Sequence, residues 1–147
     1  MSDAGRYTRE QLEAEARSHL AYWQPALLLL EWDIRLEVVD KPAEESKFAA
    51  ASTQPDRELR LAVIRFWLDF WSGQRESTSD WGGPRYQSVE ATLVHELLHV
   101  RLAEEDAYME WARKRVFGTV QGDEWEEARE TAINLLARSL VALRKRA

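Results

Sequence analysis

Residues 89–115 read VEATLVHELLHVRLAEEDAYMEWARKR, and the quintet His95-Glu96-Leu97-Leu98-His99 within them decides how the rest of the chain is understood. Ser88 stands before the run as a helix N-cap. Arg113, Lys114 and Arg115 suit the negative end of a helix dipole, and Gly118 follows as a stop. The acidic cluster at 104–106 is where this long helix would be interrupted. On a helix, residues four apart share one face, with Cβ atoms about 5–6 Å apart. Two imidazoles at that spacing converge on a single zinc ion (Zn2+) at about 2.0–2.1 Å each. Glu96, one position past the first imidazole, flanks the open side of such an ion, where a carboxylate can take a proton from a water whose pKa zinc lowers to about 7. That is the physical content of H-E-x-x-H on a helix. Val94, Leu97, Leu98 and Val100 supply the apolar anchorage. A pair of surface histidines on an amphipathic helix is the bland alternative for the same five residues.

Working outward, the N-terminal part opens with a helix near Thr8, which forms a capping box with Gln11. Leu12, Ala16, Leu20 and Trp23 recur at helical spacing until Pro25 closes the segment. Trp32, Ile34, Leu36 and Val38 alternate with Asp33, Arg35 and Glu37, the pattern of a half-buried strand. Residues 47–53 form a weaker strand, and residues 58–66 another, with Leu59, Leu61 and Val63 on one face. Residues 72–86 hold three glycines and a proline and read as a loop. Asp123 and Glu126 form a second capping box that opens a last helix running to about Leu143. Strands followed by helices imply an α+β fold, with a small, mainly antiparallel sheet packed on the histidine helix.

A catalytic zinc needs a third protein ligand. No histidine follows His99. Leu102 stands where a metzincin carries glycine, and Gly122 where an aspzincin needs aspartate, with Asp123 one position off. A glutamate on the last helix remains. Glu126 is taken up by the capping box and Glu127 points elsewhere on the helix, which favours Glu130 and leaves the other two as alternatives. Asn134 lies one turn further on the same face, where its amide can orient a ligand imidazole or Glu130 itself. A solvated Glu130 pairing with Arg129 or Arg138 is the competing reading. His19, Tyr86, Tyr108 and Arg101 are unranked candidates for stabilising developing charge. The seven tryptophans are read as core and sheet packing.

Composition narrows the function. The chain has 147 residues, enough for a single domain spanning 1–147 that buries its own core. It has no cysteine, which removes disulfides, thiolate metal sites and cysteine nucleophiles together. A net charge of -6 is the wrong sign for nucleic acid or anionic lipid. The longest apolar run, residues 26–30, is far short of the roughly 20 residues that span a bilayer, and the charged N-terminus does not read as a secretory signal. A cytoplasmic location is expected, with no nucleic-acid or membrane partner.

With these residues in hand, the chain resembles the minigluzincins, very small single-domain zinc peptidases, and among them the uncharacterised metallopeptidase-like chains of phage and bacterial genomes. The likeness runs through the first helix, WDIRLEV, LRLAVIRF, the segment Glu90-Ala91-Thr92-Leu93-Val94-His95 and the terminal helix. Glu130-x-x-x-Asn134-x-x-Ala137 is similar to the glutamate-helix pattern of gluzincins and to the E-x-x-A-N-x-x-A of repressor-cleaving prophage peptidases. From the latter the chain departs at Leu98, where that family has glycine, and at Ala132, which replaces its second acidic residue. The resemblance implies a zincin-like domain with Zn2+ as cofactor and a peptide or protein substrate bound by strand addition at a sheet edge. It also implies latency in some members, for which the N-terminal residues or the basic tail Arg144-Lys145-Arg146 would be the covering segment. The alternatives are a zinc-binding structural or regulatory module without turnover and an interaction domain without metal.

Overall fold

A computed structural model describes residues 7–40, 50–73, 88–117 and 122–147. Eight elements follow in order: α1 (Arg9–Ala26), β1 (Asp33–Val39), β2 (Ala51–Asp56), β3 (Leu61–Trp67), α2 (Leu68–Trp71), α3 (Val89–Arg101), α4 (Ala103–Phe117) and α5 (Gly122–Arg146). The architecture is α+β, a mixed three-stranded sheet packed against several helices. Among the described residues, no helix is long and apolar enough to cross a membrane.

The capping box at the start of α1 is present as expected: Thr8 Oγ1 accepts from the Gln11 N–H and the Gln11 side chain accepts from the Thr8 N–H. Pro25 does not end the helix outright but sits in its last turn. Leu12, Ala16 and Trp23 are the buried side of this helix.

The sheet corrects the expectation of a mainly antiparallel arrangement. Its order is β1-β3-β2, with β1 parallel and β2 antiparallel to β3. The most apolar strand takes the middle, because only there are both backbone edges paired away from water. Residues 47–49 of the expected second strand lie outside the described residues, and β2 itself runs on through Gln54, Pro55 and Asp56. Proline is tolerated because, among the described residues, β2 is an edge strand. The Trp67 N–H donates to the Ala50 carbonyl at 3.1 Å, which sets the parity of the ladder. Even-numbered β2 residues therefore turn their backbone groups toward β3, and Ala51, Thr53 and Pro55 turn theirs outward. The missing N–H of Pro55 falls where no ladder bond is lost.

The third strand begins later than residue 58. The Asp56 carboxylate accepts from the N–H groups of Glu58 and Leu59, both at 3.0 Å, and Arg60 adopts a left-handed φ of 50°. Together these fold 57–60 into the hairpin turn. The face expected from Leu59, Leu61 and Val63 is consequently the outer one: Leu59 is exposed, while Ala62, Ile64 and Phe66 are fully buried. Arg65 bridges Glu37 (2.8 Å) and Gln54 (3.2 Å) across that outer face.

Helices cover the inner face, α1 over β1 and α3 over β2, with α1 and α3 in mutual contact and α5 on the far side of α3. Central position explains why nine of the thirteen α3 residues are buried. Ser88 caps α3 through the Ala91 N–H at 3.0 Å. The long helical run breaks at Leu102, slightly before the acidic cluster where the interruption was expected. The last helix starts one residue before the expected cap at Asp123, whose side chain lies outside the described residues, and continues to Arg146. Trp23, Trp32, Trp67 and Trp71 are core, as expected; Trp111 is exposed on α4, contrary to that reading. Trp81 lies outside the described residues, as does the side chain of Trp125.

Candidate metal centre

Two helices build the centre. On α3, buried Leu93, Val94, Leu97 and Leu98 seat the helix in the core and leave His95 and His99 facing α5. On α5, residues 130, 133, 137, 141 and 144 follow at steps of three and four, which places them on one stripe. Ile133, Ala137 and Val141 are its buried part. Glu130 stands at one end of this stripe, opposite the two histidines.

The three side chains meet. His95 Nε2 lies 3.0 Å from Glu130 Oε2, His99 Nε2 lies 2.9 Å from Glu130 Oε1, and the two Nε2 atoms are 3.1 Å apart. Among the described residues this is the one group of three potential ligands close enough to share an ion. Glu126 and Glu127 are exposed and not part of it. Tetrahedral zinc with bonds of about 2.0–2.1 Å sets its ligand atoms roughly 3.3 Å apart. The observed triangle is slightly tighter, so a small outward adjustment of the side chains admits the ion. Two imidazole nitrogens and one carboxylate oxygen also form a donor set that suits zinc and leaves a fourth position open.

The electrostatics of the metal-free side chains are coupled. Burial raises the Glu130 carboxyl, but hydrogen bonds from His95 and His99 and their charges outweigh it and hold the group well below the usual carboxylate range. For His95, burial acts downward; the hydrogen bond to Glu130 and the charges of Glu96 and Glu130 overcome it, and the pKa is raised. Asn134 lies close enough to favour the protonated ring as well. The contact is looser than a normal hydrogen bond, since the buried His95 Nδ1 has no partner at hydrogen-bonding distance. An imidazole that binds an ion through Nε2 carries its proton on Nδ1 and needs an acceptor there.

Glu96 is 6% exposed. Burial raises its carboxyl pKa, the charges of His95 and His99 lower it, and Glu130 adds to the rise, with a net upward shift. It therefore sits within the field of the triad without belonging to it.

The chain matches no protein-family model, no curated protein and no solved structure.

The other sequence candidates fall elsewhere. His19 faces Glu15 and Glu90, at 3.6 and 3.7 Å, and is not in the triad. Arg101 and Tyr108 are exposed, the latter with its ring against Trp111. Tyr86 lies outside the described residues, as do residues 1–6. Arg144 of the basic tail is bound to Glu90, not laid over the triad. Sequence reasoning named Glu90 only within the segment that carries the resemblance and gave it no role, although it is a buried carboxylate in the first turn of α3.

The shifts fix how stability of the metal-free protein should vary with pH. His95, raised above its ordinary 6.5, contributes stability that is fully present below that value and lost as pH rises through the folded-state pKa. Glu130, lowered from its ordinary 4.5, contributes stability present above that value and lost as pH falls through the folded-state pKa. Glu96, raised from its ordinary 4.5, adds a cost that grows above that value, so in chelator denaturant unfolding should show its maximum near pH 4.5 and decline toward about pH 8. Saturating zinc should remove the alkaline decline, because the ion takes the proton's place. A metal-free stability that rises steadily from pH 6 to 8 would contradict the assigned His95–Glu130 contact.

Proposed function

We propose that this chain is a zinc-binding domain whose ion is held by His95, His99 and Glu130. The observation that carries this reading is the convergence of two Nε2 atoms and a carboxylate within 2.9–3.1 Å of one another. Protein purified without chelator should contain one zinc per chain by elemental analysis, and its thermal transition should fall when the ion is stripped. Absence of zinc after mild purification, with no uptake from added zinc, would remove the metal reading altogether.

The finer reading is a peptidase of the minigluzincin kind. It is supported by the motif residues that carry the resemblance and by the position of Glu96. When bound, zinc supplies Lewis acidity and brings the pKa of a water to about 7. Glu96 takes the proton of the attacking water on its carboxylate and returns it to the leaving amine. Substrate backbone has a natural place along β2: the outward N–H and C=O groups of Ala51 and Thr53, and the C=O of Pro55, are unpaired by any strand among the described residues. An extended peptide can add there as a fourth strand, beside the helix that carries the histidines.

A zinc module without turnover requires only the triad, which is the part of the site displayed most directly, and so it stands ahead of hydrolysis until activity is measured. Comparing hydrolysis of an unfolded protein substrate by wild type and by a Glu96→Gln variant separates the two.

A further inference from the structure

Glu90 lies on α3 with 6% of its surface exposed, outside the triad. Its Oε1 accepts from Trp23 Nε1 at 2.8 Å and from Arg144 Nη1 at 2.5 Å. The Arg144 guanidinium also lies over the Tyr22 ring, 3.7 Å from its centroid, and 5.8 Å from that of Trp23. Three helices, α1, α3 and α5, are thus pinned at one buried carboxylate.

Arg144 belongs to the same α5 stripe as Glu130, fourteen residues and about 21 Å further along. The two ends of the stripe make directional polar contacts with α3, one to His95 and His99 and the other to Glu90. Between them lie only Ile133, Ala137 and Val141 as buried side chains. Helix α5 packs chiefly on α3, and beside Glu130 the Arg129–Asp106 ion pair at 3.0 Å ties it to α4, which leaves its register on α3 to the contacts of this stripe. A short apolar stripe tolerates sliding by one turn, about 5.4 Å, since each side chain then takes a neighbour's place. Directional polar contacts do not: here Glu90 is buried while Arg144 and Glu130 are half-buried, and fixing register is the best-attested use of buried polar pairs.

We infer that Arg144 and Glu90 are positioning residues for the metal centre: their contact sets the register of α5 on α3 and thereby presents Glu130 to the two histidines. This rests on the zinc-binding reading. A C-terminal arginine distant from the ion then governs how tightly the ion is held.

The test uses the full chain with Arg144→Met, Arg144→Lys and Glu90→Gln. Three quantities are read: zinc affinity by competition with a chromophoric chelator, the visible spectrum of the cobalt-substituted protein, and amide hydrogen exchange of the metal-free protein over residues 126–134. Arg144→Met should weaken zinc binding by about 10–100-fold, in line with losses outside the ligand shell. It should also alter the cobalt spectrum and speed exchange. Arg144→Lys keeps the charge without the planar fork and should recover part of each loss. A folded Arg144→Met protein with wild-type affinity and cobalt spectrum overturns the inference, even if its thermal stability has dropped. Should Arg144→Met fail to fold, the near-isosteric Glu90→Gln is judged by the same criteria. If wild type itself takes up no zinc, the metal reading fails, and exchange alone decides the positioning role: acceleration over 126–134 supports it and unchanged exchange overturns it.

Discussion

Glu96→Gln should hold zinc as tightly as wild type while hydrolysing peptides about 10²–10⁴-fold more slowly. The substitution keeps the shape of the side chain and removes only its capacity to carry a proton. Zinc is retained because Glu96 is no member of the ligand triangle. The fold should not suffer. A carboxyl whose folded-state pKa is raised opposes folding at any pH above its ordinary 4.5, and a neutral amide removes that cost. The thermal transition of metal-free Glu96→Gln at pH 7 should therefore equal or exceed that of wild type. Equal hydrolysis by the two proteins would take the general-base role away from Glu96. Zinc in both with hydrolysis in neither would establish the non-catalytic module.

Removing the third ligand acts on the ion itself. Glu130→Ala should lower zinc affinity by at least about 10–100-fold, taking losses outside the ligand shell as a lower guide. At fixed, saturating zinc this is about 1.4–2.7 kcal/mol less stabilisation, visible as a smaller gap between the transitions with and without metal. Glu126→Ala and Glu127→Ala should leave affinity unchanged, since both side chains are exposed and apart from the triangle. Undiminished affinity in Glu130→Ala would mean that the carboxylate seen between the imidazoles is not the one that holds the ion.

The helices were legible wherever their signals were local. Thr8 with Gln11 and Ser88 with Ala91 are contacts over three residues, and the sequence pattern that announces them is the structure that forms. The break at Leu102 was legible only approximately, since consecutive helices with no proline or glycine between them leave no sharp mark. Strands fared worse. The alternation in β1 was clear because its odd-numbered residues 33, 35 and 37 are all charged. In β3 a leucine-rich approach hid the turn made by Asp56, and the alternation of large apolar residues on both faces left open which one is buried. Pairing order was not legible either, because it depends on which strand loses least water by sitting in the middle.

By itself, then, the order of amino acids determined what lies within a few residues: the helix through His95 and His99, the flanking place of Glu96, and the caps that start α1 and α3. Sequence favoured Glu130 over Glu126 and Glu127, but tertiary structure brought it, thirty-one residues beyond His99, into the triangle, and tertiary structure alone decided that Glu90 and Arg144 meet fifty-four residues apart. The reason is physical. Helical periodicity propagates through backbone hydrogen bonds four residues long, whereas the register of one helix on another is set by side chains that become neighbours only when the core closes.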